Sequence, residues 1–174
     1  LATSTNGIHW TRIGSEPVLS PGDSNAWDGL YIESPSVLYD GNSYFMWYSG
    51  IDKNYKVAIG VATSPDGITW TKYSGNPVIK SDSNYAWDGL SVATPTVIKK
   101  DNHFEMWYCG GSYYDMLENN KLDTIKIGYA TSPDGLVWEK YHQNPVMNTF
   151  DTPYTDIEWR GPWKIGRASC RERV

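Results

Sequence analysis

IGVATSPDGITWTKYSGNPV, residues 59–78, returns as IGYATSPDGLVWEKYHQNPV at residues 127–146, and an eroded copy, LATSTNGIHWTRIGSEPV, occupies residues 1–18. Aligning Leu1, Val61 and Tyr129 gives periods of 60 and 68 residues. The whole period repeats: Trp10, Trp70 and Trp138 correspond, as do Pro17, Pro77 and Pro145. AWDGL recurs at 26–30 and 86–90, SPSV at 34–37 returns as TPTV at 94–97, and FMWYSG at 45–50 returns as EMWYCG at 105–110. The extra residues of the second unit, SYYDMLENNKLD at 112–123, are polar enough for a surface loop.

Each period reads as four short strands without a helix. PSVLY (35–39) meets a DGN hairpin signal and then SYFMWYSG (43–50); KVAIGVATS (56–64) meets PDG and then ITWTKY (68–73). Strand alternation sends Tyr44, Met46 and Tyr48 to one face and Phe45 and Trp47 to the other, so both faces are large and apolar and both need covering. A two-layer sandwich would leave one face wet and alternate more cleanly. Four-stranded sheets covered by copies of themselves predict an all-β chain, a fragment of a β-propeller with two complete blades, about 33–73 and 93–141, and partial ones beside them. The units are expected at about 1–60 and 61–128, with a third, partial one at 129–164.

Composition narrows the function classes. The 174 residues are 40% hydrophobic, with 9 Trp and 13 Tyr against 3 Phe, a load that suits inter-sheet packing and sugar-stacking surfaces alike. IGRASCRERV, 165–174, breaks the pattern and resembles the read-through translation of a common short-read sequencing adapter, so it is expected to be a non-native tail. Without its three arginines and one glutamate the chain has 15 − 3 = 12 Lys+Arg and 20 − 1 = 19 Asp+Glu, a net charge of −7. Such a balance opposes nucleic-acid binding, which needs a basic stripe. No apolar run reaches membrane-spanning length, and no membrane partner is expected. Outside the tail Cys109 is the only thiol, His9, His103 and His142 are scattered, and no metal or other cofactor is expected.

In SPDGITW the glycine accepts the positive φ of a tight turn, and Asp66 or Asp134 is expected to bond nearby backbone amides while Trp70 or Trp138 packs the outer strand down. The phrase loosely resembles the Asp-box of sialidases but lacks the residue between Asp and Gly. Repeated residues are thus blade scaffold, and function is expected where the copies differ. Two residues before the inner-strand proline the three units carry Glu33, Ala93 and Arg160: acid, small neutral and base.

SPSVLYDGNSYFMWYSG together with IGVATSPDGITWTKY and NPV resembles the five-bladed β-propeller glycosidases, the superfamily of arabinanases, β-xylosidases, invertases and levansucrases, on the side of glycoside hydrolase families 43 and 32, across residues 1–164. The resemblance implies a five-bladed ring, a carbohydrate substrate, and an inner-strand Asp, a second tuning Asp and a general-acid Glu in an E-x-P motif. Glu33 in ESP matches the acid motif; Ala93 and Arg160 do not, and Ser34, Thr94 and Gly161 stand directly before the prolines where no Asp appears. Cleavage of a glycoside needs two carboxyl groups roughly 5–9.5 Å apart, so Glu33 supplies half a mechanism and the aspartates are expected upstream of this stretch.

Candidate substrate contacts are Trp27, Tyr31 and Trp87 as sugar platforms, Asp28 and Asp88 beside them, and Arg160 (with Trp163 nearby) for a hydroxyl or carboxylate. The recurrence of Trp27/Trp87 and Asp28/Asp88 also suits inter-blade wedges and turn caps. A rival reading is a non-catalytic carbohydrate-binding or structural propeller; a sialidase-like ring would need an arginine triad, of which only Arg160 is present. As a partial ring the chain is expected to be inactive by itself, with Phe45, Trp47 and Met106 left uncovered.

Overall fold

A computed structural model of the chain describes residues 1–83, 86–112 and 125–148. Every regular element among them is a strand. A two-residue hairpin comes first, β1 (Ala2–Thr3) with β2 (Thr11–Arg12). The first complete blade is β3 (Tyr31–Tyr39), β4 (Tyr44–Ile51), β5 (Val57–Ser64) and β6 (Thr71–Lys72), each antiparallel to the next. The second repeats this order with β7 (Ser91–Lys100), β8 (His103–Gly111), β9 (Lys126–Ser132) and β10 (Glu139–Lys140). A single parallel bridge, Val57 to Ser91, joins the blades. The fourth strands are shorter than ITWTKY suggested, because Asp66 holds the first part of that stretch in its turn.

The repeated turn behaves as its residues require. Asp66 Oδ1 accepts the Ile68 and Thr69 N–H groups at 2.8 and 2.7 Å, and Asp134 Oδ1 accepts those of Leu136 and Val137 at 2.9 Å each. In the eroded copy Asn6 Oδ1 does the same for Ile8 and His9, at 2.9 and 3.0 Å. Gly7, Gly67 and Gly135 sit at φ 73°, 73° and 77°, the left-handed region glycine tolerates. Their carbonyls accept the indole N–H of Trp10, Trp70 and Trp138 at 3.1, 3.0 and 2.9 Å. Asn76 adds a clamp by accepting from Val61 N and donating to Val61 O at 2.8 and 2.9 Å, and Asn144 treats Tyr129 likewise.

Blade packs on blade through a core of Trp47, Ile59, Val61 and Ile79 from the first and Val92, Val97, Phe104, Met106, Tyr108 and Ala130 from the second. Trp47 is fully buried among Phe45, Phe104 and Trp138, and its indole N–H reaches Gly135 O at 2.9 Å. This corrects the expectation of uncovered faces: Trp47 and Met106 are both at 0% exposure and Phe45 is half-buried, because they lie on opposing faces of the interface between the two blades. On β3 itself, Tyr31, Val37 and Tyr39 are open, at 57%, 53% and 54%. Val97, which corresponds to Val37, is 7% exposed, since the preceding blade covers that face of β7.

The first strands of the two blades meet, with Val97 N–H donating to Ser36 Oγ at 3.1 Å. At the opposite margin the connecting segment Val78–Asp82 stands between the first blade and Trp138 and Lys140 of the second. Sheets that converge at their first strands and are spaced apart at their fourth are wedges of a β-propeller, with β3 and β7 at the hub. Arg160, Trp163, Gly161, the 165–174 tail and most of the expected 112–123 loop lie outside the described residues.

Candidate functional site

At the hub, the chain's one candidate acid stands on β3 beside a backbone irregularity. Register shifts between Glu33 and Ser36 on β3 and again between Ala93 and Thr96 on β7. Ser34 and Thr94, each directly before the proline, take φ 51° and 50°. Non-glycine residues there carry steric strain, and a bulge re-aims the side chains beside it. In the third copy the sequence has Gly161 at this position, the residue that adopts such a φ without penalty.

Glu33 is exposed, pairs across the sheet with Ser49, and has no hydrogen-bond or ion-pair partner among the described residues. Two residues earlier on the same face stands Tyr31, 57% exposed. The fold therefore brings Tyr31 and Glu33 together on the hub strand. Ala93 occupies the matching place on β7, is 8% exposed, and brings no carboxyl group to it.

Ser49 is a site neighbour the sequence reading passed over. Fully buried opposite Glu33, it accepts the Thr94 N–H at 2.9 Å, so the strand beside the candidate acid is stitched to the next blade's bulge. The only signal was that Ser49 is replaced by Cys109 in the next unit. There, burial pushes the Cys109 thiol pKa up, with a smaller opposing contribution from Thr94.

The recurrent residues sit elsewhere. Trp27 lies on Tyr48 at a centroid distance of 5.6 Å and covers Gly50 and Gly60, where any Cβ would collide with the indole. Trp87 does the same on Tyr108 at 5.9 Å, over Gly110 and Gly128. Asp28 is 2% exposed; its Oδ2 accepts from Lys72 Nζ at 2.6 Å and from the Tyr48 hydroxyl at 3.1 Å. Asp88, 1% exposed, is held by Lys140 Nζ at 2.8 Å, and its Oδ1 has no partner among the described residues. The repeated aspartates thus tie the incoming segment to the outermost strand, rather than capping the turn into the innermost. Burial, then the neighbouring Asp28 charge, raises the Tyr48 pKa, and burial with Asp88 raises that of Tyr108.

A separate polar cluster lies on the far face of the second blade, where Glu105 replaces Phe45 of the first. Burial pushes its pKa upward, but contacts from Lys100 at 3.1 Å, Tyr129 and His103 at 3.3 Å outweigh it and hold the carboxyl below its usual range. Tyr129 is pushed up to about 12 by burial and by that carboxylate. Among the described residues no three His, Cys, Asp or Glu side chains gather as a metal site.

Comparison with known proteins agrees with this geometry. The model of the glycosyl hydrolases family 32 N-terminal domain matches residues 1–115. An uncharacterized protein of Mycobacterium tuberculosis is 32% identical over 132 residues, 74% of this chain and 42% of that protein. A beta-1,2-mannobiose phosphorylase of Thermoanaerobacter is 27% identical over 121 residues, 62% of this chain and 39% of its own length. Among solved structures, a family 117 glycoside hydrolase of Zobellia galactanivorans superposes with a TM-score of 0.68 at 23% identity, over 84% of this chain and 42% of that one. The chain thus spans about two-fifths of the length of the curated relatives it matches. With its two wedge-packed blades and a family match over 115 of its residues, the chain belongs to the glycosyl hydrolases family 32 N-terminal domain family.

Proposed function

We propose that this chain is part of an enzyme that breaks O-glycosidic bonds in oligo- or polysaccharides, with Glu33 as the general acid that protonates the leaving oxygen. The observation that carries the reading is the solvent-facing Glu33 carboxyl, unpartnered among the described residues, on the hub strand beside Tyr31. Tyr31 offers the apolar side of a sugar ring a flat partner. Trp27, Asp28, Trp87 and Asp88 act behind the site by fixing the blades, and Arg160 of the third copy meets a substrate hydroxyl or carboxylate. The chemistry demands a second carboxylate, which Ala93 at the matching place on β7 does not supply. Hydrolysis and phosphorolysis differ in the acceptor that attacks, and both require the proton that Glu33 would give.

A second reading, a carbohydrate-binding propeller without catalysis, is favoured by Ala93, which places no acid at the position matching Glu33. The complete protein separates the two. Glu33→Gln should lower kcat on alkyl or sugar glycosides by about 10²- to 10⁴-fold with folding unchanged. Unaltered turnover removes Glu33 from the mechanism, and saccharide binding without turnover by the unmodified protein supports the second reading.

A further inference from the structure

The strand that carries Glu33 is restrained at its irregular part by the neighbouring blade. The ladder between β3 and β4 runs from Tyr31 to Glu33 and resumes at Ser36, so Ser34 and Pro35 have no register partner in their own sheet. Pro35 has no N–H to donate, and Ser34 sits at φ 51°. A bulge of this kind leaves the aim of the side chain beside it to contacts outside the ladder. Two hydrogen bonds from the second blade bracket the bulge. Thr94 N–H donates to Ser49 Oγ at 2.9 Å, and Ser49 is the residue opposite Glu33. Val97 N–H donates to Ser36 Oγ at 3.1 Å, at the point where the ladder resumes.

The first of these bonds lies behind the acid. Ser49 is at 0% exposure, and as a cross-strand pair Glu33 and Ser49 share a face of the sheet. That face is turned to the second blade, since the Thr94 N–H reaches Ser49 from there. Thr94 stands at φ 50° directly before Pro95, a conformation that strains a β-branched residue. Such strain persists only where the surroundings over-determine it, and the Ser49 hydroxyl is the acceptor that holds the Thr94 amide. Loss of that oxygen frees the strained residue to relax against the strand that presents Glu33.

Comparison of the copies separates this bond from blade scaffold. The second blade pairs Ala93 with Cys109 where the first pairs Glu33 with Ser49. A thiol is a weak acceptor, and the unit that follows has Gly161 where Thr94 stands, a residue that reaches positive φ without help. An oxygen acceptor with a strained amide to hold thus stands opposite the acid, and gives way to a thiol and a glycine opposite the position that has no acid. We propose, resting on the reading of Glu33 as general acid, that Ser49 and Thr94 are positioning residues that fix the aim of the Glu33 carboxyl.

The test compares Glu33→Gln, Ser49→Ala and the double variant Ser49→Ala/Thr94→Gly of the complete protein on alkyl and dinitrophenyl glycosides. Ser49→Ala should lower kcat on alkyl glycosides about 10- to 100-fold with KM kept within about twofold, and should nearly spare dinitrophenyl glycosides, since a misaimed acid matters only where a proton is needed. Thr94→Gly should restore most of that loss in the double variant, because glycine holds the left-handed φ without the bond. Ser49→Cys, the residue the second blade already carries at this place, should show the same selective loss and stands in if Ser49→Ala does not fold. Equal loss on both substrate classes, or no rescue by Thr94→Gly, makes Ser49 a packing residue and overturns the proposal. Loss in Glu33→Gln without loss in either Ser49 variant overturns the proposal alone, whereas no loss in Glu33→Gln overturns the reading of Glu33 with it.

Discussion

Asp28 Oδ2 stands 2.6 Å from Lys72 Nζ, joining the segment that enters the first complete blade to that blade's outermost strand. The aspartate is 2% exposed and the lysine 28%, so the two partners are not equivalent. Removing the lysine strands a buried carboxylate, whereas removing the aspartate leaves an ammonium that reaches water. Lys72→Met should therefore cost about 3 kcal/mol, more than Asp28→Asn, and the double variant should recover part of the loss. Urea unfolding of the four proteins checks this; equal costs would show that the pair is no more than a surface contact.

Trp47 carries the blade interface in the same way that Lys72 carries the blade's closure. Its ring fills the space between Phe45, Phe104 and Trp138, and its N–H crosses to Gly135 O. Trp47→Ala should cost about 3–5 kcal/mol. Trp47→Phe should cost less, since Gly135 O keeps its bond from Trp138. Amide exchange should accelerate on both sides of the interface, in β4 and β8 together.

Gly60 lies under the Trp27 indole. Gly60→Ala should destabilise the first blade by about 1–3 kcal/mol through overpacking, with Gly128→Ala doing likewise beneath Trp87 and Tyr108. Gly41, at φ 103° with open space around its Cα, tests the contrast: Gly41→Ala suffers from backbone conformation alone. Thermal unfolding of the three variants separates collision from strain.

The repeated turns should contribute to the acid sensitivity of the fold. Backbone N–H groups of Thr69 and Ile68, with the Ser64 hydroxyl, lower the Asp66 pKa to about 2 from its ordinary 3.8. Because the folded value lies below the unfolded one, the turn's contribution is complete above the ordinary carboxylate pKa and is lost as pH falls toward about 2. Asp134 follows the same direction for the same reason. Asp66→Asn should flatten this acid dependence while keeping much of the stability at neutral pH, since Asn6 already makes the equivalent bonds in the first copy; Asp66→Ala should lose both. Tm measured across the acid range distinguishes the three.

The parts of the fold legible in the sequence are those written within a few residues. Asp66 and Gly67 bond within their own turn, and the alternation of Phe45 and Trp47 against Met46 and Tyr48 declares a sheet covered on both faces. Repetition then supplied the blade. What stayed hidden spans long separations: Asp28 meets Lys72 across 44 residues and Trp47 meets Gly135 across 88. Local pattern cannot reveal which copy covers which, and so Trp47 read as an open face when it is the centre of the interface. Of the site, Glu33 was visible because ESP differs from ATP at a matched position, and Tyr31 because an aromatic face suits a sugar ring. Ser49 was not, because a serine-to-cysteine change in a strand resembles neutral drift until the Thr94 N–H is seen to need an oxygen.

The leaving-group dependence of Glu33→Gln in the complete protein tests the assignment of this hub carboxyl most directly. A general acid matters most when the departing alcohol is a poor leaving group. The variant should lose about 10²- to 10⁴-fold in kcat/KM on alkyl or sugar glycosides, yet retain most of its activity on dinitrophenyl glycosides, which depart without a proton. A uniform loss across both substrate classes, or none in either, would contradict the role given to Glu33.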